Sequence, residues 1–267
     1  MTSEELGQEL IKYCNTYKIP MEYVFDILED QKVVPMIRGK ATEYTTLLLL
    51  TSLLNPHEWS VAKLNLNAQT GMHDEDVSVT HQRSGIIIKI ECKNACRGSF
   101  KFSSRCAIKD PHCSIKCHKS RSTISKASTT NDKYLVGDFD IVISNLSNAI
   151  IAGGTYTEFF ELVKNEPLVT ELSRYYNCNA DFSSLFEATY SDWRFAKSSD
   201  LATKGVIPRT PYVNLYGGDD WQPISELENS LNEIVREQIQ TKKHRTSSGV
   251  KKGAHLISEL LYIMLNN

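Results

Sequence analysis

The sequence predicts an α/β protein, a central mixed β-sheet flanked by helices with C-terminal additions. Three observations lead there. Residues 85–94, GIIIKIECKN, open with three consecutive isoleucines and then alternate apolar and polar side chains, the signature of a strand entering a core. Residues 134–146, YLVGDFDIVISNL, read as a second buried strand, from about Tyr134 to Ile143. Ahead of both, RGKATEYTTLLLLTSLLN (38–55) is apolar and long enough for a buried helix. Helix, hairpin strands, helix and strand in that order suggest one α/β unit.

Taken along the chain, residues 3–31 form an acidic amphipathic pattern interrupted near Pro20. The buried helix runs from Ala41 to Leu54, and Asn55-Pro56 ends it because the residue before proline is forced out of helical geometry. WSVAKLNLNA (59–68) alternates as a strand does. DVSVT (76–80) is a short strand with Val77 and Val79 on one face and Asp76 and Ser78 on the other. HQRSG (81–85) is its turn, 86–93 its partner strand, and 135–143 the later strand. TEFFELVKNEPLVTELSRYY (157–176) reads as two helical pieces broken at Pro167. Beyond it come loops around GVIPRTPYVNLYGGDDWQP, a helix over 225–240 and another from Ala254 to Leu265. With no internal repeat and no Gly/Pro/Ser-rich linker, residues 1–267 read as a single domain.

No apolar run is long enough to cross a bilayer, so no membrane partner is expected, and MTSEELGQEL lacks a signal-peptide pattern. Seven cysteines, an odd number, without an export signal point to a reducing cytoplasmic setting. The net charge of −2 conceals an asymmetry: from Arg97 to Lys126 eight basic residues face one acid, Asp110, a net of +7. A second basic cluster, KKHRTSSGVKK, follows at 242–252, where a solvated face is an equal reading.

The chemistry concentrates at the end of the 86–93 strand. Strand residues i and i+2 share a face, so Glu91 and Lys93 stand side by side while Ile88, Ile90 and Cys92 point the other way. Asp76 begins the preceding strand, and a hairpin brings that beginning to the end of its partner. Two carboxylates meeting at one point repel unless a cation holds them, and an all-oxygen site favours Mg²⁺. A neighbouring lysine can orient a water and offset charge on a phosphorane. Asp, Glu and Lys so arranged are what metal-assisted phosphodiester hydrolysis requires. The same triplet spacing occurs in Asp30-Gln31-Lys32, but that one ends a helical pattern and has no hairpin carboxylate upstream. A charged edge strand facing water is the alternative for Glu91 and Lys93.

DVSV…IIIKIECKN resembles the core of the PD-(D/E)xK nuclease superfamily, and within it most closely the type II restriction endonucleases. IRGKATEY, GDFDIVI and WRFA…GVIPRTPYV are similar to further stretches of those enzymes. The resemblance covers residues 38–145 as the catalytic core, with looser similarity in a C-terminal helical and loop region at about 155–267. It implies a restriction-endonuclease-like core and a Mg²⁺-dependent, DNA-cleaving homodimer. Asp76 and Glu91 would be metal ligands, the backbone carbonyl of Cys92 would complete the site, and Lys93 and Glu43 would be catalytic. The sequence departs from the family pattern in having Glu75 before Asp76 where proline is usual, with Asp74 close by; alternation favours Asp76.

Other features carry alternatives. Glu43 reads equally as a first-turn charge complementing a helix dipole. Lys101, Lys116, Lys119 and Arg121 are candidate contacts to duplex DNA, and Arg209, between two prolines, suits a guanine edge, a phosphate or a structural ion pair. Asp138 and Asp140 flank Phe139 on one strand face, functional or simply polar. Cys96, Cys106, Cys113 and Cys117, with His112 and His118, could bind zinc, but without paired C-x₂-C spacing they read first as buried thiols. The functions to separate are therefore a site-specific, Mg²⁺-dependent DNA endonuclease, a repair or junction nuclease of the same superfamily, and a zinc-containing DNA-binding module without catalysis.

Overall fold

The hairpin expected at residues 76–93 forms the middle of the sheet. In the computed structural model, which describes residues 1–63, 76–102, 110–118, 132–152, 161–218 and 220–241, β1 (Trp59–Ala62) pairs antiparallel with β2 (Val77–His81), and β2 with β3 (Ile86–Asn94). The β2–β3 turn closes through Gly85, whose N–H donates to the His81 carbonyl at 2.9 Å. Gly85 has φ +66°, a conformation costly for residues bearing a Cβ. β5 (Ile141–Asn145) lies parallel to β3, β8 (Trp193–Lys197) antiparallel to β5, and β10 (Gln222–Pro223) antiparallel to β8. The result is a six-stranded mixed sheet in the order β1-β2-β3-β5-β8-β10. Two smaller pairings, β4 (His112–Ser114) with β9 (Tyr212–Asn214) and β6 (Ile151–Ala152) with β7 (Glu161–Leu162), stand beside it.

Both faces of the sheet are covered, as a parallel pair at its centre requires; every residue of β5 is buried. Ile88, Ile90 and Cys92 of β3, with Val77, Val79, Ile141 and Ile143, pack against Leu50 and Leu54 at the end of α3 (Val33–Leu53) and against Leu227 and Leu231 of a helix over 227–241. On the opposite face Val142 and Ala196 meet Leu168 and Leu172 of α4 (Glu166–Tyr176) and Leu185 of α5 (Phe182–Ser191).

Several boundaries differ from the sequence reading, each for a local reason. α3 starts at Val33 rather than Ala41, because Pro35 sits in its first turn, where a missing N–H costs nothing. It is half-buried, not buried: Thr42, Thr46, Leu50 and Leu54 at i+4 spacing face the sheet, while Tyr44 and Leu48 are exposed. The later strand begins at Ile141, not 135, since Gly137 (φ +101°) and Asp138 turn the chain just before it. There the Asp138 carboxylate accepts from Leu135 N–H at 2.7 Å. Pro167 does not break a helix. It lies in the first turn of α4, capped by Asn165, whose side chain accepts from Leu168 N–H at 3.2 Å, and the residues ahead of it include the short strand β7. The 3–31 pattern resolves into α1 (Ser3–Tyr17), closed at its start by a Thr2–Glu5 capping box, and α2 (Val24–Glu29). The helix expected at 225–240 is found over 227–241; the one at 254–265 lies outside the described residues, as does 64–68 of the first strand reading. Among the described residues no helix is long and apolar enough to cross a membrane.

Candidate functional site

Hairpin register, rather than proximity in sequence, brings the expected acids together. Val77 pairs with Ile90, so Asp76, one residue earlier, stands opposite Glu91 on the same face of the sheet. Asp76 is fixed there by the backbone: the Cys92 N–H donates to its Oδ2 at 2.8 Å. Glu91, 8% exposed, forms an ion pair with Lys93 through Oε1. The same oxygen accepts a 2.6 Å hydrogen bond from the Tyr134 hydroxyl, and the Lys93 ammonium lies 5.5 Å above the Tyr134 ring centroid. Among the described residues these contacts engage one oxygen of each carboxylate, Oδ2 of Asp76 and Oε1 of Glu91. Oδ1 and Oε2 are left over, on two residues that stand opposite each other across the β2–β3 pair.

The electrostatics follow from that crowding. Burial, and then the Glu91 carboxylate opposite, push the Asp76 carboxyl up to about 7, against a smaller lowering by the Cys92 N–H and Lys93. Burial alone would lower the Lys93 ammonium, but Glu91 first, then Tyr134 and Asp76, together outweigh it and hold Lys93 above the usual lysine range, so its proton stays on at neutral pH. Burial and Glu91 likewise keep the Tyr134 phenol protonated, which makes it a donor. The site therefore joins two carboxylates that repel each other to one retained ammonium.

Two carboxylates with one spare oxygen each are a hard, all-oxygen donor set that suits Mg²⁺. No group of three or more His, Cys, Asp or Glu side chains is placed to hold a metal among the described residues. Cys92, between Glu91 and Lys93 on the same strand, could add its backbone carbonyl as a further oxygen donor. Its thiol is not available, because it points to the other face beside Thr46 of α3 and burial holds it protonated.

Glu43 is near but otherwise occupied. It is buried on α3, ion-paired with Lys63 and, at 2.9 Å, with Lys40, and it contributes the weakest of the charges acting on Asp76. Since α3 begins ten residues earlier, the first-turn reading does not hold: Glu43 stands mid-helix, away from the positive end of the dipole.

The remaining candidates separate. Lys116 is exposed on the segment whose next residue, Cys117, feels the charges of Lys93 and Glu91, so this part of the basic run borders the site. Lys101 lies beside β4, its ammonium 5.9 Å from the Tyr212 ring centroid. Lys119, Arg121, Cys106, Asp74 and the 242–252 cluster lie outside the described residues. Arg209 makes a bidentate ion pair with buried Asp132, 3.1 Å at Nε and closer through an Nη, and so has the structural role offered for it as one alternative. Cys113 and Cys117 are fully buried in the apolar cluster on the α4–α5 side, as expected of packed thiols. Asp140 accepts from Lys89 N–H at 2.8 Å and ties β3 to the start of β5, a sheet-joining role. Asp138 closes the adjoining turn.

Tyr134 is the site residue that sequence reasoning did not find. It is 43 positions from Glu91, and its only signal was an aromatic at the head of the YLVGDFD stretch. It reaches the carboxylate because Ile207 N–H donates to its carbonyl at 2.9 Å and its ring packs edge-on against buried Phe139, 5.1 Å between centroids.

In comparisons with protein-family models, curated proteins and solved structures, none matches this chain.

Proposed function

We propose that this chain is a Mg²⁺-dependent endonuclease of the PD-(D/E)xK type that hydrolyses phosphodiester bonds of duplex DNA at a short specific sequence, as type II restriction endonucleases do. The observation that carries the reading is the hairpin that sets Asp76 opposite Glu91, each with an unengaged oxygen, and Lys93 ion-paired beside them. Asp76, Glu91 and the Cys92 carbonyl would hold Mg²⁺. When bound, Mg²⁺ lowers the pKa of a water and neutralises phosphate oxygens.

The chain's own groups supply the rest. Lys93, kept protonated by Glu91, donates to an oxygen on which negative charge grows as the phosphorus is attacked. Tyr134 holds Glu91 by its Oε1, so Oε2 is the oxygen that would serve the cation. Sheet rigidity matters here: all three strand residues sit on β3 or directly across from it, so their spacing is fixed before substrate arrives. Lys116, bordering the site, counters the repulsion between this acidic edge and a polyanion. The C-terminal third exceeds what a bare nuclease core needs, which favours a sequence-specific enzyme over a minimal repair or junction nuclease. A palindromic site is most simply read by a two-fold homodimer.

Incubating the protein with plasmid DNA and Mg²⁺ tests the reading. Discrete fragments are expected with Mg²⁺, and uncut plasmid with Ca²⁺ or EDTA. Intact DNA in Mg²⁺ across many sequences would overturn it; a continuous smear would keep the chemistry and remove the specificity.

A further inference from the structure

We propose a second ligand site, a phosphate-binding cleft between the N-terminal half of α3 and the carboxyl ends of β3 and β5. It rests on the nuclease reading only for the expected source of the phosphate, a nucleic-acid strand. The α3 stripe that faces the sheet changes character along its length. Leu50 and Leu54 meet the apolar part of β3, but about two and three turns before Leu50, Thr42 and Arg38 meet Asn94. Asn94 is the last residue of β3, and its parallel partner Asn145 is the last of β5. The carboxyl ends of neighbouring parallel strands are where open α/β sheets form ligand crevices.

Five side chains define the cleft: Arg38, Asn94, Arg97, Lys116 and Asn148. Their hydrogen-bonding state is what selects the ligand. The acceptor oxygen of Asn94 takes the Thr42 hydroxyl at 2.8 Å, and that of Asn148 takes the Arg38 guanidinium. Asn148 thus has its acceptor occupied and offers the cleft its N–H donors, Asn94 keeps one N–H beyond the one it gives to the Arg38 carbonyl at 3.5 Å, and the other three side chains carry donors alone. No carboxylate stands among the described residues lining it. A concave lining of donors and cations fits an anion rich in acceptor oxygens, which a phosphate is and a sugar or an apolar ligand is not. Position suggests the source. Asn94 follows Lys93 directly, on the opposite face of the same strand, so a strand whose scissile phosphate lies at Glu91 and Lys93 has a neighbouring phosphate within reach of the cleft.

Two variants and a control test this, all in EDTA so that no cleavage is involved. Asn148→Asp keeps the size and the acceptor for Arg38 while replacing the donor by a negative charge; Lys116→Gln removes an exposed cation at the rim. Lys12→Gln, on exposed α1, makes the same charge change as Lys116→Gln outside the cleft. Sodium phosphate, compared with chloride at equal ionic strength, should raise the Tm of the wild-type protein more than that of Asn148→Asp, whose response measures general salting effects. Binding of a labelled duplex, read by fluorescence anisotropy, should weaken about tenfold in both cleft variants and lose about one from its salt slope. Lys12→Gln should stay within about twofold. If the phosphate response is lost in Asn148→Asp but duplex affinity is kept, the cleft binds free or terminal phosphate and the site stands with that source. If wild type and both cleft variants agree in phosphate response, duplex affinity and salt slope, the site does not exist. Neither readout needs catalysis, so a protein that binds phosphate here yet never cuts DNA would sink the nuclease reading alone.

Discussion

The chain contains two carboxylate-x-lysine triplets with the same spacing, and the fold treats them in opposite ways. Asp30-Gln31-Lys32 lies exposed between α2 and α3. Its carboxylate accepts the Lys32 N–H at 2.7 Å, and its carbonyl accepts from Val33 and Val34, so Asp30 is spent on closing one helix and opening the next. Glu91-Cys92-Lys93 lies in the central hairpin, with Glu91 buried, Lys93 ion-paired to it and a second carboxylate across the ladder. The difference teaches that the triplet has no chemistry of its own. A strand puts its two charges on one face, a neighbouring strand adds the partner acid, and burial makes their interaction strong enough to shift titration.

That comparison can be broken experimentally, starting where the largest effect is expected. Glu91→Ala removes a proposed metal ligand and the anchor for Lys93 and Tyr134 together; DNA cleavage in Mg²⁺ should fall on the order of 10³-fold or more, measured as the rate of plasmid linearisation. Tyr134→Phe removes the hydroxyl that donates to Glu91 Oε1 and also meets Lys93. The cleavage rate should drop about tenfold with duplex affinity in Ca²⁺ unchanged, the size expected for one hydrogen bond to a charged group. A rate equal to wild type would reduce Tyr134 to packing.

The third effect is on stability rather than rate. In metal-free protein the Asp76 carboxyl titrates near 7 when folded against 3.8 unfolded. Because the folded pKa is the higher, the contribution is fully favourable below about pH 4 and is lost as pH rises to about 7. Asp76→Asn in EDTA should therefore lose less Tm than wild type between pH 5 and 8. Mg²⁺ should raise the wild-type Tm most at pH 8 and hardly affect the variant. Equal pH dependence in the two proteins would show that Asp76 is not crowded by Glu91. The smallest effect belongs to the other triplet: Lys32→Ala should cleave within about twofold of wild type.

Much of this site was legible because its logic is local to a hairpin. Alternation alone puts Glu91 with Lys93 and Val77 with Val79, and a short turn forces Asp76 back to Glu91; each of these holds in the structure. What sequence could not supply depends on contacts across long separations. Tyr134 reaches Glu91 over 43 residues and Arg209 reaches Asp132 over 77, and neither pairing leaves a periodic trace. Boundaries failed at proline and glycine positions. Pro35 and Pro167 both sit inside first turns, where proline is favourable, while Gly137 delays a strand that apolar residues on both sides had suggested was continuous.

The central claim is that Lys93 acts on the transition state beside a pair of acids that Mg²⁺ joins, and Lys93→Ala tests it most directly. The measurement is a single-turnover cleavage rate in Mg²⁺ together with duplex affinity in Ca²⁺, for Lys93→Ala and wild type side by side. A group that stabilises charge only as it develops should, when lost, cut the rate by about 10²- to 10⁴-fold and leave affinity within about twofold. A Lys93→Ala protein that cleaves at the wild-type rate would return Glu91 and Lys93 to the status of an ion pair on a strand edge.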